Sequence, residues 1–462
     1  MKAMQTDMER RHANSSRAEE GGIAQVWRLA YPLSVSTASS TIMQVVNRIF
    51  LSRVSSDALA ACVPAGILSF AFMTFFMGLA GYTNVFVAQH YGGKRYARMS
   101  VSLWQGAWLS LLSGAAIAAM LPLGLYIINA SGHAPAVKIL ERQYFAILML
   151  GGWLLPLNSA LSSFFTGRGR TKITMAVNLA GNGANILLSW LLIFFLGMGI
   201  RGAAYALVAG NAIMAAAYLA LILSARNRRK YRTAKLLSPR PDVLMQMLKY
   251  GTPNGIGFML DVASFTVFIF LVGNAGAAAL AANNIIFSIN MMAFMPVLGI
   301  GMAAQTLVGQ YIGGKRPDIA VRSVNSAVKL AVLYLGGVAL CLLAAPSLFT
   351  GMFGAAGDAQ FAAVERAALP LIRLLAVFII FDGIGIIYSD AIRGAGDTRF
   401  QMAAATICAW TLFVPPSYYL INKLHAGMEL VWLWMIFYVF VVAAVFYFRF
   451  RSGKWLGTDI TA

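Results

Sequence analysis

The chain has 462 residues, of which 59% are hydrophobic and only 11% are charged. A soluble domain carries about 25% charged residues, so this composition excludes an ordinary soluble protein. A formal net charge of +20 would by itself suggest a nucleic-acid partner. We expect no nucleic-acid partner, because the basic residues stand in short loops between apolar segments, as in membrane proteins.

The apolar segments are long enough to form transmembrane helices. A helix needs about 20 apolar residues to cross a bilayer, and only helices or closed barrels satisfy the backbone polar groups in lipid. We therefore predict an all-α membrane protein with about twelve transmembrane helices. They are expected at residues 26–50, 60–88, 101–128, 139–165, 173–197, 201–224, 246–272, 277–307, 322–345, 362–391, 400–421 and 429–448.

The loops between these segments alternate between basic and nearly uncharged. The basic residues are Lys94, Arg95, Arg98, Arg168, Arg170, Lys172, the seven between 226 and 240, Lys315, Arg316, Arg393, Arg399 and those of the tail. The positive-inside rule places these loops and both termini in the cytoplasm. The first 22 residues contain no apolar signal-peptide region, so the first span is expected to act as its own insertion signal. We expect a multi-pass protein of the plasma membrane, that is, a bacterial inner membrane.

Two parts of the sequence repeat each other. LAYPLSVSTAS surrounds Pro32 and KYGTPNGIGFM surrounds Pro253, while VAQHYGGKR begins at Val87 and VGQYIGGKR begins at Val308. Both separations are 221 residues (253 − 32 and 308 − 87). An internal repeat of apolar segments is typical of secondary transporters. The predicted domains are a cytoplasmic N-terminal segment 1–25, an N-lobe 26–224, a basic cytoplasmic linker 225–245, a C-lobe 246–448 and a cytoplasmic tail 449–462.

The basic linker between the lobes has two interpretations. Its sequence from residue 224 to 242 is SARNRRKYRTAKLLSPRPD. Such a run of positive charge fixes the orientation of the neighbouring spans. The alternative is a lipid-binding or regulatory role.

Two carboxylates lie deep within predicted spans. Asp261 follows Gly251 by ten residues, and Asp382 precedes Arg393 by eleven. At a rise of 1.5 Å per residue each lies roughly 15–18 Å from the helix end. A carboxylate at that depth is costly unless it is protonated, paired or hydrated, so it indicates a functional site. We predict a cation-binding or proton-binding coupling site; the alternative is a structural pair with Arg373 or a helix–helix contact.

Asparagines supply neutral oxygen ligands of the kind that sodium accepts. Asn284 is a predicted third member of the coupling site, and its neighbours Asn283 and Asn290 are further candidates. The alternative for all three is hydrogen bonding between helices.

The N-lobe contains polar residues within its spans but no carboxylate at mid-span. These residues are Asn47, Asn178, Asn182, Asn185 and Ser189. Amide and hydroxyl groups can contact a substrate or join helices, but they cannot carry a proton. We predict that Asn47, Asn178 and Asn185 form a polar substrate site.

Pro32 and Pro253 occupy matched positions in the first span of each lobe. Proline removes a backbone hydrogen bond and kinks a helix. A kinked helix beside a central site can bend as the site fills, so we predict a gating role for both prolines. The alternative is that they only shape the helices.

Together these motifs resemble the multidrug and toxic compound extrusion (MATE) family over nearly the whole chain. The resemblance rests on the proline-led first span of each lobe, the two GGKR loops, and TGRGRTK at 166–172, which returns as RGAGDTR at 393–399. It implies two six-helix lobes around a central V-shaped cleft that binds an organic, often cationic compound. It further implies export in exchange for sodium ions or protons by a monomer, without a cofactor and without enzymatic activity.

The resemblance also assigns particular residues. Asp261 and Asp382 match the acidic positions of the seventh and tenth spans in the sodium-coupled bacterial branch. The family's first-span aspartate is Asn47 in this sequence, and its fifth-span pair reads Asn185 and Ser189. These departures favour coupling through the C-lobe, where sodium would bind at Asp261 and Asp382.

Two other functions fit the sequence less well. A lipid-linked saccharide flippase of the same superfamily should line its cleft with basic residues, and few lie within the spans here. A non-transporting membrane receptor or scaffold does not need two matched lobes with acids at mid-span. The sequence also lacks a P-loop, which argues against a primary ATP pump.

Overall fold

The computed structural model describes residues 20–353, 359–457 and 460, and at 277, 278 and 359–363 only the backbone. Residues 1–19 of the predicted N-terminal segment, and 458, 459, 461 and 462 of the predicted tail, lie outside the described part. Within that part the chain is helical and contains no strand. Its α-helices are α1 Ile23–Ser52, α2 Ser56–Gly81, α3 Thr83–Gly92, α4 Tyr96–Ala119, α5 Leu121–Ala130, α6 Pro135–Gly151, α7 Leu154–Thr166, α8 Thr171–Trp190, α9 Gly199–Ile222, α10 Ala225–Tyr231, α11 Pro241–Gly273, α12 Ala277–Gly313, α13 Pro317–Ala344, α14 Pro346–Thr350, α15 Ala359–Ala395, α16 Thr398–Ile407, α17 Val414–Tyr418 and α18 Met428–Arg451.

Shorter helical turns of other types complete the described chain. The π-helical turns are Leu191–Phe195, Cys408–Phe413 and Tyr419–Lys423, and the 3₁₀ turns are Gly351–Phe353 and Lys454–Gly457.

Eleven helical segments of the described residues are long and apolar enough to cross a membrane. Several of them join two helices, as in Ser56–Gly92, which contains α2 and α3. The first predicted span, 26–50, forms the 30-residue helix α1. That helix is long enough to cross but is less apolar than the eleven, because serines and threonines occupy its centre. With α1 the segments number twelve, and the prediction of an all-α membrane fold is confirmed.

The helices extend further than the predicted spans. The span expected to end at 307 belongs to α12, which ends at Gly313, and the span expected to begin at 246 belongs to α11, which begins at Pro241. Apolar composition marks where the bilayer ends, whereas a helix continues as long as its backbone hydrogen bonds do. Polar residues such as Gln310 therefore still belong to a helix, although they lie beyond the end of its apolar stretch.

The internal repeat is visible in the backbone of the two GGKR turns. Lys94 and Lys315 are both in the left-handed region, with φ of 57° and 58°. The backbone N–H of each following arginine, Arg95 and Arg316, donates to the carbonyl five residues earlier at 2.8 Å in both copies. A non-glycine residue with positive φ is uncommon, so its recurrence at the same repeat position confirms that the copies share one local fold.

The chain divides into two compact units. The C-terminal unit contains Met1–Ser34 and Ala263–Asp459, and the N-terminal unit contains Val35–Val262 and Ile460–Ala462. The first part of α1 thus belongs to the C-terminal unit, and the first part of α11 belongs to the N-terminal unit. The predicted lobes 26–224 and 246–448 follow the sequence repeat and stay a prediction.

In the N-terminal unit, the first part of α11 packs closely on α2. A Cβ atom added to Gly78 would lie 2.7 Å from the Cα of Gly255, and one added to Gly255 would lie 2.5 Å from the carbonyl oxygen of Phe75. The side chain of Asn254 donates to the Gly78 carbonyl at 2.6 Å. Two glycines and one amide hydrogen bond therefore fix this crossing.

In the C-terminal unit, the first part of α1 packs on α12 in the same way. A Cβ atom added to Gly299 would lie 2.7 Å from the backbone nitrogen of Ser34. The Ser34 hydroxyl donates to the carbonyl of Pro296 at 3.1 Å. Gly299 stands 221 residues after Gly78, so the repeat places a glycine at the same contact in each unit.

Candidate functional site

A ladder of polar side chains joins α1 to α8 inside the N-terminal unit. Asn178, Asn182 and Asn185 lie four and three residues apart, which places them on one face of α8. Asn178 donates to the hydroxyl of Ser36 at 2.6 Å, and Asn182 donates to the hydroxyl of Ser39 at 2.7 Å. The predicted asparagines of α8 therefore bind α1 directly.

The ladder ends at the pair Asn47–Asn185. The Asn47 amide donates to Asn185 Oδ1 at 2.9 Å, and the two side chains are only 6% and 1% exposed. Asn47 Oδ1, Asn185 Nδ2 and the Ser189 hydroxyl have no hydrogen-bond partner among the described residues. An unsatisfied buried polar group costs about 1–3 kcal/mol, so this cluster is suited to a polar ligand.

Asn178 is held by a residue that the sequence analysis missed. The hydroxyl of Tyr218, on α9, donates to Asn178 Oδ1 at 2.7 Å, and Tyr218 is fully buried. Both ends of the Asn178 amide thus have protein partners, which favours a structural role for Asn178. The available signal was a tyrosine in the alanine-rich stretch that follows Met214.

The two predicted coupling acids belong to different units. Asp261 lies on α11 within the N-terminal unit and its side chain is exposed; Asp382 lies on α15 within the C-terminal unit and is half-buried. A carboxylate near the bilayer centre avoids lipid in favour of an aqueous space or a polar partner. The prediction that these two acids form one ion site stays a prediction.

The three asparagines of α12 have different surroundings. Asn283 is fully buried and accepts a hydrogen bond from the Trp432 indole at 3.2 Å, so helix–helix bonding accounts for it. Asn284 is exposed and Asn290 is half-buried. Asn284, which was predicted to belong to the coupling site, is thus exposed where Asn283 is buried.

The N-terminal unit also holds a buried acid that the sequence analysis did not consider. Glu141, in the second turn of α6, is 1% exposed. One of its carboxylate oxygens lies 2.7 Å from Nδ1 of the exposed His133. Glu141 thus lies near the start of α6, within reach of a polar side chain that precedes the helix.

Pro32 and Pro253 lie inside continuous helices, α1 and α11. Pro32 is buried and Pro253 is half-buried. Each removes one backbone donor from its helix, and the predicted gating role stays a prediction.

Comparison with known proteins gives one family and close structural neighbours. The family model MatE matches residues 32–191 and 253–419; the two matches begin 221 residues apart, the offset of the repeat. "Probable multidrug resistance protein NorM" of Burkholderia mallei is 30% identical over 417 residues, covering 89% of this chain and 88% of the relative. The protein of the same name from Thermotoga maritima is 24% identical over 434 residues, covering 93% and 92%.

A solved structure described as the outward-facing conformation of a multidrug resistance MATE family transporter of the MOP superfamily has the same fold. Its TM-score is 0.86 at 20% sequence identity, with 95% of this chain and 97% of the other covered. At that identity the likeness shows the fold, which agrees with the helices described above.

Proposed function

The chain belongs to the MatE family, and we propose that it exports organic, often cationic compounds in exchange for sodium ions or protons. It is a multi-pass membrane transporter and not an enzyme. The observation that carries the proposal is the pair of mid-span carboxylates, Asp261 and Asp382, in a chain built from two transporter repeats. Both homologous halves lie in one chain, so we take one chain as the working unit.

Coupling by these acids has a direct physical basis. A carboxylate far from water takes up either a proton or a cation, because the bare charge is strongly disfavoured there. An ion that binds one conformation better than the other shifts the equilibrium toward that conformation. Exchange follows when the substrate shifts the same equilibrium in the opposite direction. We place this property at Asp261 and Asp382, in line with the sodium-coupled branch.

Substrate contact is proposed for the other polar site. The cluster of Asn47, Asn185 and Ser189 contains three buried polar atoms that have no hydrogen-bond partner within the described part of the chain. None of its members is a carboxylate, so it cannot exchange protons with the solution. This supports a division in which the asparagines contact the substrate while the acids bind the ion.

The test is efflux of a fluorescent organic cation from proteoliposomes under a sodium gradient and, separately, a proton gradient. Replacing Asp261→Asn or Asp382→Asn preserves volume and removes the charge. We expect each variant to reach the membrane and to lose ion-driven efflux down to the level of protein-free liposomes. The gradient that drives the parent protein identifies the coupling ion.

The matched control is Asp242→Asn, which removes an exposed carboxylate from the first turn of the same helix as Asp261. We expect it to transport at the parent rate. If both mid-span variants also transport at the parent rate under both gradients, these acids are structural and the coupling proposal is wrong. If the parent itself moves no organic cation, the export function is wrong.

A further inference from the structure

The hydrogen-bonding groups that remain in the Asn47–Asn185 pair define what can bind there. A side-chain amide has one carbonyl oxygen, which accepts, and one NH₂ group, which donates. The Asn47 NH₂ group donates to the Asn185 oxygen at 2.9 Å. The Asn47 oxygen and the Asn185 NH₂ group are left, and neither has a hydrogen-bond partner among the described residues. The pair therefore offers one acceptor and one donor to a ligand.

This result does not depend on which amide donates. Turning both amides over makes Asn185 the donor and Asn47 the acceptor, and it leaves the Asn185 oxygen and the Asn47 NH₂ group. The remaining groups are again one carbonyl oxygen and one NH₂ group. The chemistry of the site thus follows from the two residue types and their single hydrogen bond.

Ser189 supplies a third group. It follows Asn185 by four residues, which places both on one face of α8, and it is fully buried. A helical serine can donate to the carbonyl four residues earlier, as the buried Ser110 and Ser113 do at 2.8 and 2.7 Å. The Ser189 hydroxyl has no such partner in the described part of the chain. It is therefore available to a ligand as a donor or as an acceptor.

Neighbouring helices hold the cluster in place. A Cβ atom added to Gly210 would lie 2.9 Å from the Asn185 Cβ atom, so α9 packs directly on Asn185. Asn182, one turn earlier on α8, donates to the Ser39 hydroxyl of α1 at 2.7 Å. Asn185 is thus fixed between α1 and α9, and the groups that the cluster leaves over stay in one place.

The mixed set of groups selects against ions. A metal ion or an ammonium group pairs with oxygens and leaves the NH₂ group without an acceptor, while an anion leaves the carbonyl oxygen without a donor. None of the three residues is charged, and the residue after Asn47 is the positive Arg48. No charge in the cluster therefore offsets the cost of removing a cation from water.

We propose that the cluster binds one neutral group that both donates and accepts hydrogen bonds. The group is a hydroxyl or carboxamide of the transported compound, or a trapped water molecule. A buried water makes about three hydrogen bonds, and the cluster offers three polar groups. The inference rests on the proposed function, in which these residues contact the substrate, and it names the part of the substrate that they recognise.

The test compares two fluorescent cations of equal charge and similar volume, N-(2-hydroxyethyl)acridinium and N-propylacridinium. Each is titrated at equilibrium against the purified full chain, without an ion gradient. If the group comes from the compound, the hydroxyethyl dye should bind roughly 5- to 50-fold tighter, as about two net hydrogen bonds provide. Asn47→Ala and Ser189→Ala should each reduce this preference by roughly 2- to 10-fold, while the affinity for the propyl dye stays at the parent value.

The matched control is Ser110→Ala, which removes a buried serine hydroxyl of the same unit that bonds within its own helix. It should leave the affinities for both dyes at the parent values. If Ser110→Ala reduces the hydroxyl preference as much as Ser189→Ala does, the preference does not come from the cluster and its assignment to the substrate is wrong.

A crystal structure of the parent without dye separates the two sources of the group. Equal affinities for the dyes, together with density for a water molecule within hydrogen-bond distance of the cluster, assign the site to water. A hydroxyl preference that the cluster variants reduce assigns it to the substrate.

Three results overturn the proposal. They are equal dye affinities without density at the cluster, a hydroxyl preference that survives both cluster variants, and an anomalous peak at the cluster after the crystal is soaked with thallium ions. If neither dye binds, the proposed export of organic cations fails, and the density alone decides whether the cluster holds a neutral group.

Discussion

At the scale of single residues, the Asn47–Asn185 pair is the most informative feature of the N-terminal unit. Both amides are buried and joined by one hydrogen bond, while each keeps a further polar atom that no described residue contacts through a hydrogen bond. An apolar pair of the same shape would avoid that cost. The retention of two half-satisfied amides is consistent with a polar ligand at this place.

Replacing Asn47→Ala tests that role. A hydrogen bond contributes about 0.5–1.5 kcal/mol, so we expect the affinity for a fluorescent organic cation to fall by roughly 2- to 10-fold. Binding of sodium or protons should not change, because the variant removes no ionisable group. Equilibrium titration of both ligands checks this.

The control for this prediction is Asn158→Ala, which breaks another amide pair of the same unit, from Asn158 to the Asn211 carbonyl at 2.9 Å. It should leave the organic cation affinity at the parent value. A variant of Asn47 that loses ion binding but keeps organic cation binding would refute the division between the two sites.

The sequence predicted this site only in part. The spacing of Asn178, Asn182 and Asn185 placed all three on one face of a helix, and the structure confirms that face. Their partners Ser39 and Tyr218 were not predicted, because the choice of partner across two helices depends on packing between distant segments. Periodicity within a helix is local information, whereas the helix that faces it is not.

At the scale of elements, the same limit applies to α1 and α11. The repeat predicted two matched first spans, and the glycines at the α2 and α12 contacts confirm the match. That the first part of each helix packs in the unit formed mainly by the other half of the sequence was not predicted. Apolar helices have similar surfaces, so neither span carries a local signal for its neighbour.

The close crossing of α2 and α11 predicts a cost for any side chain at Gly78. In Gly78→Ala the new methyl group would lie 2.7 Å from the backbone of Gly255, and backbone cannot move aside as a side chain can. We expect a destabilisation of about 1–3 kcal/mol, as for other overpacked sites. Thermal unfolding in detergent, followed by size-exclusion fluorescence, measures it.

The control is Gly66→Ala on the same helix, where an added Cβ atom meets nothing within 4 Å. Alanine is a better helix former than glycine by about 0.5–1 kcal/mol, so this variant should be as stable as the parent or slightly more stable. If Gly78→Ala and Gly66→Ala unfold at the same temperature, the prediction that the close contact of α2 with α11 leaves no room for a methyl group is wrong.

At the scale of the whole molecule, positive charge is concentrated on alternate connections between the spans. The turn between α3 and α4, the turn between α7 and α8, and residues 225–240 are all rich in arginine and lysine. The connections between them, such as the one from α5 to α6, contain few basic residues. In bacterial membranes basic connections are enriched on the cytoplasmic side, so we predict that these connections and, with an even number of spans, both termini lie in the cytoplasm.

Labelling with a membrane-impermeant maleimide tests this orientation. Cys62, Cys341 and Cys408 are first replaced by serine, since Cys341 is exposed. Single cysteines are then introduced as Gly132→Cys and Leu424→Cys in weakly charged connections, and as Lys230→Cys in the basic one. All three positions are exposed, and a Cβ atom at Gly132 meets no neighbour within 4 Å, so the substitutions replace no buried side chain. We expect 132 and 424 to react in intact cells and 230 to react only after permeabilisation. The reverse pattern would overturn the orientation and the direction of export together, because both depend on the side of the membrane that carries the positive charge.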